Sequence, residues 1–287
     1  MTQGLEGTPR YFAWLYAGER MQAILRPLFG IEAEINAALQ PGLEHSVAHV
    51  RMSWWAEEAQ RVRGGHALHP LTRALLAQRP AAATAGPDFS ALVDIATWDL
   101  AGATFETRAE LTGYCDRWAQ AVPQLAATWG APDLPAPSAE RFGHALGVAL
   151  CELDMLVSLE HSARRGRVRI PLDELAVLGV TPQAVAHTPW PTALCERVRT
   201  RHQELRQALQ SSCALLQAPA PRAALRGLLV WAAVMQQHSR RAERALPHSW
   251  QRSRWNGLGD SLGAWRAARR ALNSPLNKTQ VHRAEHS

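Results

Sequence analysis

The stretch from Phe142 to Leu172, FGHALGVALCELDMLVSLEHSARRGRVRIPL, constrains this chain more than any other. Phe142, Leu146, Ala149, Leu153 and Leu156 recur at intervals of three and four, the spacing of one buried helix face. Almost every other position in its first half is apolar too, so this helix is expected to be buried on most sides. Yet Gly147, Cys151, Asp154, Ser158 and Ser162 also step by four, three, four and four, which places small and polar groups along one face. Buried polar groups cost free energy unless they find partners. The stripe therefore lines either a polar cavity or a contact with polar groups of another helix. The segment then runs into Arg164, Arg165, Arg167 and Arg169 and stops before Pro171. Guanidiniums at the end of a polar stripe suit a phosphate or carboxylate ligand. A solvated basic loop at a helix C-terminus accounts for them equally simply, and spacing alone favours it.

The chain of 287 residues is long enough for a substantial core. It is rich in Ala, Leu, Arg, Gln and Glu, and no stretch alternates with period two, so the expected fold class is all-α. The longest apolar run, Ala223 to Met235, is interrupted by Arg226 and is too short to span a bilayer. The N-terminus lacks a signal pattern, and Cys115, Cys151, Cys195 and Cys213 are scattered without a CxxC pair. A reduced cytoplasmic protein is expected, with contact at the inner face of a membrane as the open alternative. From Arg240 onward there are ten basic and three acidic residues, against twenty-one and twenty-two in the rest. The high pI therefore belongs to the C-terminal segment. Such a tail is more often solvated than bound to anionic lipid, and nucleic acid is the less favoured partner.

In order, the spacing predicts a helix over Arg10–Leu39 broken near Pro27, with Glu32, Asn36 and Gln40 on a face read as solvated. A second helix over Glu44–Arg63 is expected to bury Val47, Val50, Trp54 and Val62, with Arg51 beside Trp55. His45 and His49 have metal-ligand spacing but no third partner, so surface histidines are expected. Gly64-Gly65 ends this helix and His69-Pro70 opens a short one through Leu76. Helices over Phe89–Leu100 and Glu106–Gly130 follow, the latter burying Tyr114, Trp118, Leu125 and Trp129. After the central helix come Leu194–Leu216 and Ala223–Ala245. The reading ends with a helical domain over residues 8–250 and a basic, partly disordered segment over 251–287, in which Leu262–Leu272 is a short helix.

Three places give the chain a family resemblance. RMSWWAEEAQRVRGGHALHPLTRAL (51–75) looks like a Trp-Trp helix followed by a glycine turn and His-Pro. The region from Asp94 to Gln120 ends in LTGYCDRWA. GVALCELDMLVSLEHSARRGRVRIPLDEL (147–175) looks like a helix carrying a second aspartate motif. Together they resemble the squalene/phytoene synthase family of head-to-head prenyl transferases. The resemblance implies one bundle of α-helices around a central cavity, the isoprenoid-synthase-like arrangement. It also implies two aspartate motifs facing each other, with magnesium holding the diphosphates of two prenyl substrates. Here the motif-equivalent positions are Asn36 and Gln40 in the first and Ser158 and Ser162 in the second, and none is a carboxylate. Glu152 and Asp154 are the weak metal candidates, and Asp154 is the only acid on the stripe itself. The candidate ligand-binding residues are Arg51, Tyr114, Asp154, Arg164, Arg165 and Arg167. The opening of the chain is more similar to the branch that includes a mitochondrial complex I assembly factor, which implies loss of ordinary synthase activity.

Three readings follow. The favoured one is a synthase-fold protein without magnesium catalysis and without a cofactor. It would bind a prenyl diphosphate or lipid-like anionic ligand, or serve in assembly or regulation. The second is an active prenyl transferase with an atypical, magnesium-dependent site. The third is a helical interaction module using the basic C-terminus. Nothing in the sequence names a protein partner.

Overall fold

The computed structural model describes residues 6–40, 42–81, 83–251 and 254–272. Among them every regular element is a helix. Helix α1 (Pro9–Leu15) is capped by Thr8, whose hydroxyl accepts the Tyr11 N–H at 3.2 Å. The chain breaks at Gly18 and continues as α2 (Glu19–Asn36), in which Pro27 is buried mid-helix. The break expected near Pro27 thus lies nine residues earlier. Buried contacts on both sides of Pro27, from Met21 to Ile35, outweigh the loss of one backbone hydrogen bond.

Helix α3 (His45–Arg63) shows a second departure. Val47, Val50 and Trp54 are exposed, at 38%, 69% and 37%, and the buried face carries Met52, Trp55, Ala59 and Val62. The cause is Glu58, which is fully buried. Its carboxylate accepts the N–H groups of Leu68 and His69 at 2.8 and 2.9 Å and the Thr72 hydroxyl at 2.5 Å, and it pairs with Arg61 at 3.0 Å. These bonds hold its pKa below the ordinary carboxylate value against the opposing effect of burial. A charge that periodicity assigns to the surface is the anchor that turns the helix. The glycine turn after α3 forms as expected, with Gly65 at φ +86°, and α4 (Pro70–Leu76) follows. His45 and His49 are exposed, with ring nitrogens 2.8 Å apart.

Helices α5 (Ser90–Leu100), α6 (Arg108–Ala119) and α7 (Leu125–Gly130) come next, the last two joined by a π-helical turn at Pro123. The central helix α8 (Ala136–Val157) packs against α6 and α7, and its neighbours on the other sides are α11 (Thr192–Ala214) and α13 (Arg226–Ala245). It is therefore buried on most sides, as its composition requires. Gly147 belongs to this packing rather than to a cavity. A Cβ there would lie 2.6 Å from the Ala119 Cβ, so only glycine lets α6 and α8 approach this closely.

Short helices α9 (Leu159–Arg164) and α10 (Leu172–Val177) lie between α8 and α11, and α12 (Pro219–Ala224) precedes α13. They complete a bundle whose main core joins α2, α5, α6, α8 and α13. A smaller apolar cluster, with Val168, Trp190 and Leu194, sits beneath the segment after α9. Helix α14 (Arg254–Leu272) is longer than the expected short helix, and its Ala264 and Ala268 pack on Phe12, Val230 and Val234. The segment expected to be disordered, from 273 on, lies outside the described residues. No helix among the described residues is long and apolar enough to cross a membrane.

Candidate ligand cavity

The polar stripe of α8 faces open space. Helices α1, α2, α5, α6, α8 and α13, with the Arg165–Arg169 loop, enclose a cavity of about 400 Å³. Its apolar wall consists of Leu92, Ile95, Leu150 and Met155, with the rings of Trp118 and Trp231. These rings meet edge to face, with centroids 5.8 Å apart. Exposed Asn36, Gln40, Asp154, His161 and Arg165 mark the mouth.

Two ion pairs hold the inner end. Arg10 Nη2 donates to Glu32 Oε1 at 3.0 Å, and Trp118 Nε1 donates to the same oxygen at 2.8 Å. The Arg10 guanidinium lies 5.8 and 5.5 Å from the Trp118 and Trp231 ring centres, a cation between two π faces. Burial opposes its charge, but Glu32, then Asp154, outweigh that and raise its pKa. The second pair is Arg169 and Asp99, both under 10% exposed, at 2.8 Å. Tyr114 donates to the other Asp99 oxygen at 3.0 Å. Burial and then the Asp99 charge push the Tyr114 hydroxyl well above its usual pKa, so it stays a neutral donor. Cys151 is likewise kept as a thiol by burial and by its hydrogen bond with Cys115.

The motif-equivalent residues converge. Asn36 and Gln40 on one wall, and Ser158 and Ser162 on another, line this one cavity. The solvated reading of the Glu32–Asn36–Gln40 face holds for Asn36 and Gln40, which are exposed at the mouth, and is corrected for Glu32, which is buried and paired with Arg10. The central helix also breaks at Ser158, whose hydroxyl bonds back to the Asp154 carbonyl at 2.8 Å.

Asp154, Tyr114, Arg165 and Arg167 line the cavity, but the other candidates do not. Arg164 turns away to pair with Glu160 at 2.5 Å and to donate to the Ala186 carbonyl at 3.2 Å. Arg51 is exposed on α3, outside the cavity lining. Glu152 points to the opposite side of α8, where Arg108 and Arg201 each hold it at 2.5 Å. Arg10, Glu32 and Asp99 are cavity residues absent from the candidate ligand-binding residues, and Arg169, read only as one of the arginines that end the stripe, is committed to Asp99. The sequence holds no local signal for the two pairs, whose members are 22 and 70 residues apart.

Magnesium needs several hard oxygen ligands in octahedral order. Of the three cavity carboxylates, Glu32 and Asp99 are each already held by a guanidinium, which leaves Asp154. No group of three or more His, Cys, Asp or Glu among the described residues is placed to hold a metal ion.

The comparisons agree with the fold. A crystal structure of a dehydrosqualene synthase in complex with ligand superposes with a TM-score of 0.73 at 13% identity, over 94% of this chain and 93% of that one. No curated protein matches the chain. The family model for squalene/phytoene synthase matches residues 28–258, most of the chain. With that match over an all-α bundle and its central cavity, this chain belongs to the squalene/phytoene synthase family.

Proposed function

We propose that this protein binds an isoprenoid or lipid-like anionic ligand in the cavity directly through arginines, without magnesium-dependent prenyl transfer. One observation carries the reading. The inner carboxylates are neutralised by Arg10 and Arg169, whereas Arg165 and Arg167 have no ion-pair partner among the described residues. The mouth therefore has two free guanidiniums against one carboxylate, Asp154, and attracts an anionic head group. Behind it, Leu92, Ile95, Leu150 and Met155 suit a hydrocarbon chain. Such a protein stores, presents or senses its ligand, and a role in assembly or regulation follows from binding alone.

The second reading is an active transferase. It is supported by the convergence of Asn36, Gln40, Ser158 and Ser162 on one cavity with the unpaired Asp154. Purified protein incubated with labelled farnesyl and geranylgeranyl diphosphate, with magnesium or with chelator, separates the two. Binding without catalysis gives no condensed product. It also gives a thermal stabilisation by the diphosphates that survives chelator and disappears in Arg165→Ala/Arg167→Ala. A condensed C30 or C40 product that requires magnesium overturns it.

A further inference from the structure

Helix α14 carries an exposed surface that the cavity does not use. Its buried side is fixed to α13. Ala264, Ala268 and Ala271 are covered, and a Cβ at Gly263 would lie 2.5 Å from the Gln237 side chain. Asp260, the only acid in the helix, is fully buried against Arg241 and His238. At about 100° per residue, Leu258, Leu262, Trp265, Arg269 and Leu272 fall within an arc of about 80° on the other side. The four apolar residues are 70%, 46%, 44% and 51% exposed. The Arg269 guanidinium lies over the Trp265 ring at 5.0 Å, and exposed Arg266 and Arg270 border the stripe. None of these three arginines has an ion-pair partner among the described residues. The outer face thus combines large apolar groups with cations and no acid.

We propose that this face of α14 is a docking surface for anionic lipid, with the helix lying in the plane of a membrane interface. Charge decides the occupant. An interfacial helix sets Leu and Trp at the headgroup boundary and Arg or Lys beside them, and anionic headgroups supply the countercharge these arginines lack. Trp265 is suited to that boundary, with an apolar ring and a polar N–H. A second copy of the chain would bring the same three cations against themselves. The inference is independent of what the cavity binds.

The test is sedimentation of the full chain with vesicles of phosphatidylcholine alone and with added phosphatidylglycerol. The expected result is binding only to the anionic vesicles, weakened by salt. Arg266→Gln/Arg269→Gln/Arg270→Gln should lower the partition coefficient by about a hundredfold, at roughly fivefold per arginine. Leu262→Glu/Trp265→Glu should abolish binding, with an unchanged thermal melt because both positions are exposed. Native chain that stays in the supernatant overturns the proposal, as does binding that either variant retains. Dimerisation lost in Leu262→Glu/Trp265→Glu, without vesicle binding, overturns it in favour of a second copy.

Discussion

The inner end of the cavity and its mouth contain the same kinds of residue in opposite conditions. Inside, Arg10 with Glu32 and Arg169 with Asp99 are paired, partly or wholly buried, and braced by Trp118 and Tyr114. At the mouth, Asp154, Arg165 and Arg167 share no ion pair. A paired buried charge supports the fold and is committed to its partner. An unpaired charge at the edge of a cavity is available to a ligand. Substitutions inside should therefore change stability, and substitutions at the mouth should change binding.

The largest effect is expected inside. Arg169→Met leaves the Asp99 carboxylate buried with only the Tyr114 hydroxyl, which should cost about 3–5 kcal/mol in urea unfolding. Arg169→Met with Asp99→Leu should recover most of that loss, because no uncompensated charge remains. If the double variant were as unstable as the single one, the loss would come from packing and not from charge.

A somewhat smaller effect tests committed polar groups elsewhere in the bundle. His202 is buried, its Nδ1 3.0 Å from Ser239 Oγ, and Arg206 donates to that same oxygen at 2.9 Å. The Ser239 oxygen thus joins His202 to the Arg206 cation, and His202 stays neutral. Burial, then the Arg206 charge, lowers the His202 pKa from 6.5 to about 4. Between those values the unfolded chain binds a proton that the folded chain does not. Stability is therefore full above about pH 6.5 and falls as pH drops toward 4, by about 3 kcal/mol. His202→Gln should flatten this part of a pH series of melts, and an unchanged slope would place the acid sensitivity in other groups.

The same division explains what could be read in advance. The α8 stripe was legible because small and polar residues at helical spacing conflict with an apolar helix, and Cys151, Asp154, Ser158 and Ser162 do line the cavity. The bounds of α4 were legible from Pro70 and the glycine turn. The buried face of α3 was not, because it depends on Glu58 finding three donors in the following turn. Nor were the inner pairs, which join residues distant in sequence. Among the arginines after α8, Arg169 turns in and Arg164 turns out, a choice made by Asp99 and Glu160 after the helix has already broken at Ser158.

The smallest expected effect separates the two functional readings most cleanly, through its sign. Asp154 is exposed at the mouth, lining the same opening as Arg165 and Arg167. If arginines bind the ligand directly, Asp154 repels its anionic head. Asp154→Asn should then tighten binding of a prenyl diphosphate, by up to roughly fivefold, since a solvent-screened charge contact is worth about 1 kcal/mol at most. If a divalent cation bridges protein and diphosphate, Asp154 is its one available carboxylate and Asp154→Asn should weaken binding in magnesium. Titration of the variant with farnesyl diphosphate in magnesium and in chelator reads both. Tighter binding in both buffers supports an arginine site. Weaker binding confined to magnesium supports a metal site at Asp154 and a return to the transferase reading. The substitution adds no burial and breaks no hydrogen bond or ion pair, and removes only a longer-range charge that favours the Arg10 cation, so the thermal melt of the free protein should fall by no more than about 1 kcal/mol while the sign of the binding change is read directly.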